Sequence, residues 1–145
     1  MAQKLNKYIN EKQRMPPNQA LALQGNSMKL IELSDKEIIT IVKPLAEHTE
    51  SSWNQKNYDD FCRYLLVKRP GHKFPEEEFN KQIEESYDTY GNHTISDFVA
   101  LHRNPENVIV IWKVDFENRK EPGLLMYEFE QHEGNMLISG CSYHA

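Results

Sequence analysis

From Thr94 to the C-terminus, apolar and polar positions alternate with a period of two. Before that they recur every three to four residues. Val108–Glu117 is the centre of the alternating region. Val108, Val110, Trp112, Val114 and Phe116 interleave with Ile109, Ile111, Lys113 and Asp115. β-Branched and aromatic residues at that period predict a strand with one wholly apolar face, placed inside a sheet. The other face is apolar in its first half and charged in its second. Three more strands are predicted at Thr94–His102, Leu124–Gln131 and Met136–His144. Turns are expected at Asn104–Asn107, Asn118–Gly123 and Glu133–Asn135. Such short connections favour antiparallel neighbours, so the expected sheet is a four-stranded meander.

Ser34 opens the first helix, with Glu37 as its capping-box partner and Leu33 as a staple onto Ile38. At 100° per residue, Ile38, Ile41, Val42, Leu45, Ala46, Thr49 and Trp53 share one arc, and Pro44 lies opposite. A proline there bends a helix toward its core without ending it. Asn57 is expected to cap a second helix from Tyr58 to about Leu66, carrying Tyr58, Phe61, Cys62 and Leu65 on one face. A loop with a Pro70-Gly71 turn follows. Pro75 is expected at the first position of a third helix, where its missing N–H costs nothing. Glu76, Glu77 and Glu78 suit that end of the helix dipole. Phe79, Ile83, Tyr87 and Tyr90 form its apolar stripe, and Gly91 its left-handed stop.

Residues 1–33 are polar and weakly patterned. They are expected to form a loosely held arm, with a short helix at Gln3–Gln13 broken by Pro16-Pro17 and a turn at Gly25-Asn26-Ser27. Met28 is a candidate alternative start. Residues 34–145 form the expected single domain. Net charge is −5, from 22 acidic and 17 basic residues. That balance disfavours nucleic acid and anionic membrane as partners. Lys68, Arg69, His72 and Lys73 make the one basic cluster, best read as a solvated loop. No apolar run approaches the roughly 18 residues of a membrane span, and no apolar core follows Lys4 and Lys7 as in a signal peptide. The cytoplasm is the expected compartment. Cys62 and Cys141 are expected as half-buried free thiols.

Three helices followed by an antiparallel meander make an α+β layer arrangement. The pattern resembles the nuclear transport factor 2-like superfamily, and within it a small bacterial branch of uncharacterised domains. The resemblance spans residues 34–144. It is carried by the bent first helix ending in Trp53, by Asn57-Tyr58-Asp59-Asp60-Phe61, and by Val110-Ile111-Trp112-Lys113-Val114. It implies a cone of the cystatin-like kind, with the helices packed on a curved four-stranded sheet. The short link between second and third helices departs from the pattern, so the strand pair often found there is expected to be missing or rudimentary. The superfamily holds isomerases, dehydratases and hydrolases beside non-catalytic dimeric modules, and fold alone does not choose among them.

Tyr58, Trp112, Tyr127 and Tyr143 are candidates to line a cone pocket for a small apolar ligand, although aromatics on apolar faces are mostly core. Asp97 is a weak candidate general acid–base, on the face of Ile95 and Val99. His102 falls on the opposite face and cannot share a pocket with it. Cys141 and His144 also fall on opposite faces. The six histidines (48, 72, 93, 102, 132 and 144) show no metal-ligand spacing, and no phosphate-binding glycine loop occurs. No cofactor and no metal are expected. Ile109, Ile111, Leu124 and Met126 would form an apolar patch on the outer sheet face, where a homodimer is expected. The reading is therefore a non-catalytic ligand-binding or dimeric module. The alternative is a small-molecule isomerase, dehydratase or hydrolase using the cone pocket.

Overall fold

The computed structural model describes residues 29–145. Its elements are α1 (Asp35–Asn54), α2 (Tyr58–Phe61), α3 (Glu76–Tyr90), β1 (His93–Arg103), β2 (Asn107–Phe116), β3 (Arg119–His132) and β4 (Asn135–His144). The strands form one antiparallel sheet in the order β1-β2-β3-β4, so the chain is α+β with an open meander. The helix expected at Gln3–Gln13, the turn at Gly25-Asn26-Ser27 and the start at Met28 lie outside the described residues.

α1 begins as its capping residues dictate. Ser34 Oγ accepts from the Glu37 backbone N–H at 3.1 Å, and Glu37 Oε1 accepts from the Ser34 N–H at 2.8 Å. All seven residues of the expected arc are buried. Ile38, Ile41, Val42, Leu45 and Ala46 share one core with Val108, Val110, Trp112, Val114 and Phe116 of β2 and with Leu125, Tyr127 and Phe129 of β3. Pro44 lies inside the helix without ending it. The packed structure starts earlier than Ser34, because Leu30 is buried in this core. Its N–H donates to Gln131 Oε1 at 2.9 Å, and Arg103 donates to the carbonyls of Leu30 and Leu33.

α2 stops at Phe61, not near Leu66. The residues expected to extend it are taken by the sheet. Leu66 N–H donates to Ile138 O at 2.7 Å, and Ile138 N–H donates to Tyr64 O at 2.9 Å. Residues 64–66 thus add a single parallel bridge to the edge of β4. Pro75 is the N-cap of α3, so the helix starts one residue later than expected, at Glu76. α2 and α3 join the end of α1 through a second apolar cluster, Trp53, Phe61 and Phe79.

β3 starts five residues before its expected limit, at Arg119. Pro122 is tolerated because this extension pairs with β2 alone, and β4 joins only at Leu124. β1 carries register shifts between Ile95 and Phe98 and between Phe98 and Ala100. A further shift separates Glu128 from Phe129 on β3 against β4. Extra residues of this kind bend and twist a strand.

Candidate functional site

The last turn of α1 delivers three side chains to the first residue of β1. Glu50 and Trp53 lie three positions apart on the buried side of the helix, and Asn54 ends it. Asn54 grips the backbone of His93 in both directions. Its Oδ1 accepts from the His93 N–H at 2.8 Å, and its Nδ2 donates to the His93 carbonyl at 2.9 Å. Trp53 stacks on the imidazole, with ring centroids 4.3 Å apart and planes inclined by 21°. Phe116 and Tyr143 meet the same ring edge to face at 5.2 and 5.1 Å. The imidazole therefore has a fixed position and an aromatic wall.

Glu50 holds its far side. Its residue is 8% exposed and His93 is 4% exposed. His93 Nδ1 lies 2.7 Å from Glu50 Oε1. A carboxylate oxygen only accepts, so this contact places the proton on Nδ1. The other carboxylate oxygen accepts from the Tyr127 hydroxyl at 2.5 Å. Burial, and then the Glu50 charge, push Tyr127 well above the ordinary tyrosine value, so it stays a phenol and a donor. Cys141 pairs with Tyr127 across β3 and β4. It has exposed surface at the sheet edge, yet burial of the thiol and then the Glu50 charge push it up to about 12. It is therefore a neutral thiol and no nucleophile.

One atom of this cluster is left over. His93 Nε2 is buried and has no hydrogen-bond partner among the described residues. A buried polar nitrogen without a partner costs about 1–3 kcal/mol and calls for an explanation. A carboxylate fixing Nδ1–H while Nε2 stays available is the arrangement used by general bases and by ligand-binding imidazoles.

The residues singled out in the sequence divide around this centre. Tyr127 belongs to it, and Tyr143 lies against the imidazole. Trp112 is core, edge-on to Tyr127 at 6.2 Å. Tyr58 belongs to the second cluster, where its hydroxyl donates to the Phe74 carbonyl. Asp97 is exposed on the bulged stretch of β1, away from Glu50 and His93. A solvated carboxylate there lacks the burial that acid–base work would need. His144 Nε2 lies 3.3 Å from Ser142 Oγ, not against Cys141. On the outer face Ile111 faces Met126, but Ile109 faces Glu128 and Leu124 faces Lys113. Cys62 and Cys141 are free thiols. Among the described residues, no three metal-capable side chains come together.

Glu50, Asn54 and His93 were not singled out in the sequence. Two signals point to them. Glu50 sits at the rim of the apolar arc of α1, between Thr49 and Trp53. His93 lies two residues before Ile95 and so shares its inward face.

No protein-family model matches the chain, and no curated protein matches it. Solved structures match it at TM-scores below 0.5. It is similar to an NTF-2-like protein of unknown function from Shewanella oneidensis, with 13% identity, 70% of this chain and 94% of that chain covered, and a TM-score of 0.49. It is similar to a protein named Rd1NTF2_05 that carries five substitutions, with 16% identity, coverage of 74% and 98%, and a TM-score of 0.49. A SEC-C motif-containing protein from Rhodopseudomonas palustris matches at 11% identity, coverage of 86% and 88%, and a TM-score of 0.46. Among the described residues, no helix is long and apolar enough to cross a membrane.

Proposed function

We propose that this chain is a non-catalytic small-ligand-binding module, and that its ligand docks on Nε2 of His93. The observation that supports it is that buried, unpartnered nitrogen, held by Glu50 behind and walled by Trp53, Phe116 and Tyr143. Ligand sites are mostly apolar, with a few placed polar groups that fix orientation, and this cluster has that composition. The test is a nitrogen-15 spectrum of the histidine side chains during addition of a panel of small aromatic fragments. The expected result is a saturable shift of the His93 Nε2 signal, with the Trp53 indole moving in step. A panel that leaves both signals in place would remove the reading.

A second property, compatible with the first, is homodimer formation through the outer sheet face. Ile111 and Met126 form a directly opposed apolar rung, and Leu124 and Met126 are exposed. The rung lies between Lys113 on one side and Glu128 on the other. A two-fold axis in the plane of contact, over that rung and perpendicular to the line from Lys113 to Glu128, would bring the lysine of one copy to the glutamate of the other. Light scattering at micromolar concentration tests this. A dimer that Met126→Glu converts to a monomer is the expected outcome, and a monomeric wild-type protein is the contrary one.

A further inference from the structure

We infer that the His93 site takes a flat apolar ligand bearing one acidic hydroxyl, a phenol or an enol, and shares that proton between the ligand oxygen and Nε2. The inference rests on the ligand-binding reading above and narrows it to a chemical class.

The argument starts from what Nε2 can accept. With Nδ1–H directed at Glu50, the imidazole has two states. In the neutral state Nε2 offers a lone pair and needs a donor. In the protonated state it offers an N–H and needs an acceptor. A carbonyl satisfies only the second, and an ammonium only the first. A hydroxyl satisfies both, because it donates as O–H and accepts as an oxygen. The proton balance is closed. The ligand O–H bond breaks and the Nε2–H bond forms. The oxygen becomes negative and the imidazole positive, and no other reactant is needed.

The ring that would take the proton has a carboxylate at its other nitrogen. Glu50 lies 2.7 Å from Nδ1, so a positive charge arriving on the ring faces a carboxylate already in place. Tyr127 holds the other carboxylate oxygen, which keeps Glu50 from turning away. The face of Trp53 lies 4.3 Å from the imidazole and attracts a cationic ring more strongly than a neutral one. No cationic side chain is among the hydrogen-bond and ring partners of His93. The Arg119 guanidinium lies farther out, over the Tyr90 and Phe116 rings at 5.8 and 5.9 Å, so at Nε2 itself the charge that meets a ligand anion is that of the imidazole. The aromatic character proposed for the ligand matches the rings already packed on the imidazole. Trp53, Phe116 and Tyr143 surround the ring, and Tyr90 extends the group by packing on Phe116 at 4.9 Å and Tyr143 at 5.8 Å. Flat rings bury well against such edges and faces.

4-Nitrophenol and its methyl ether, 4-nitroanisole, separate the outcomes when titrated into the full chain. The absorbance of 4-nitrophenol reports its own proton. At a pH where the free compound is protonated, binding is expected to raise the phenolate band. The ether keeps the ring and loses the proton, so it should bind about tenfold more weakly. His93→Gln should abolish the phenolate band, with its urea midpoint read alongside to confirm folding; the phenol–ether comparison in the wild-type protein stands without that variant. Equal binding of phenol and ether with no phenolate band would overturn the hydroxyl assignment and leave the ligand-binding reading standing. Failure of both compounds, while other aromatic fragments still shift His93, would also overturn it. Failure of every fragment would remove both readings together.

Discussion

Glu50 and His93 are 43 residues apart in the chain, and their side chains meet at 2.7 Å in the interior. The contact ties the last turn of α1 to the first residue of β1, and Asn54 doubles it through the backbone. Glu50→Ala leaves the His93 Nδ1–H as a buried donor without its acceptor and takes the carboxylate from the Tyr127 hydroxyl. The expected cost is about 3 kcal/mol, the range for breaking a buried hydrogen-bonded pair from one side. It is read as a fall in the urea midpoint at unchanged slope. A loss below about 0.5 kcal/mol, as at an ordinary surface position, would mean that the pair is solvated.

Tyr127→Phe keeps the ring and removes one donor. The expected loss is about 1 kcal/mol, the net worth of one hydrogen bond. Because the two residues share Glu50, the effects of Tyr127→Phe and His93→Gln should not add. A double-mutant cycle measures the difference. Strict additivity would show that Tyr127 and His93 act separately.

Stability should fall on both sides of neutrality, for different groups. Burial, and then the Arg63 charge, lower the proton affinity of His48 in the folded state. The unfolded chain then binds that proton more readily. This contribution is whole above the ordinary value of 6.5 and is lost as pH falls below it. His48→Gln should flatten the acid side of a plot of urea midpoint against pH. Tyr127 is raised, so the unfolded chain loses its proton first. That contribution is present below the ordinary value of 10.0 and is lost as pH rises above it. Tyr127→Phe should flatten the alkaline side, and a curve unchanged by either substitution would contradict the assignment.

The sheet, the buried face of β2 and the cap and arc of α1 were legible because each repeats a local rule along consecutive residues. Val108 to Phe116 and Ile38 to Trp53 are buried as their periods require. The end of α2 was not legible. Tyr64–Leu66 read as helix, but their backbone pairs with Ile138, a partner more than 70 residues away that helical periodicity does not reveal. The extra length of β3 was hidden by Pro122, which ordinarily argues against a strand and is allowed here by the missing neighbour. At the site, Tyr127 and Tyr143 were visible as aromatics on inward faces. Glu50 and His93 were not, because each reads alone as an ordinary polar residue and only their meeting gives them a role.

Gly91 sets the path from α3 into that meeting point. Its φ is +73°, and a Cβ there would lie 2.9 Å from Glu117 Cβ and Asn118 Nδ2. Gly91→Ala should therefore cost about 2 kcal/mol through backbone strain and crowding together. The thermal midpoint checks the size of the effect. Gly134→Ala is the control, because its φ is also positive at +81° but nothing lies within 4 Å. Equal losses at both positions would mean that crowding at Gly91 adds nothing.

The most direct measurement is a long-range proton–nitrogen spectrum of the His93 imidazole in the ligand-free protein. The account predicts a proton resident on Nδ1, in slow exchange with water, and its loss in a folded Glu50→Ala variant, which has no acceptor there. A proton on Nε2 with a bare Nδ1, or an imidazole exchanging as freely as one in solvent, would contradict it.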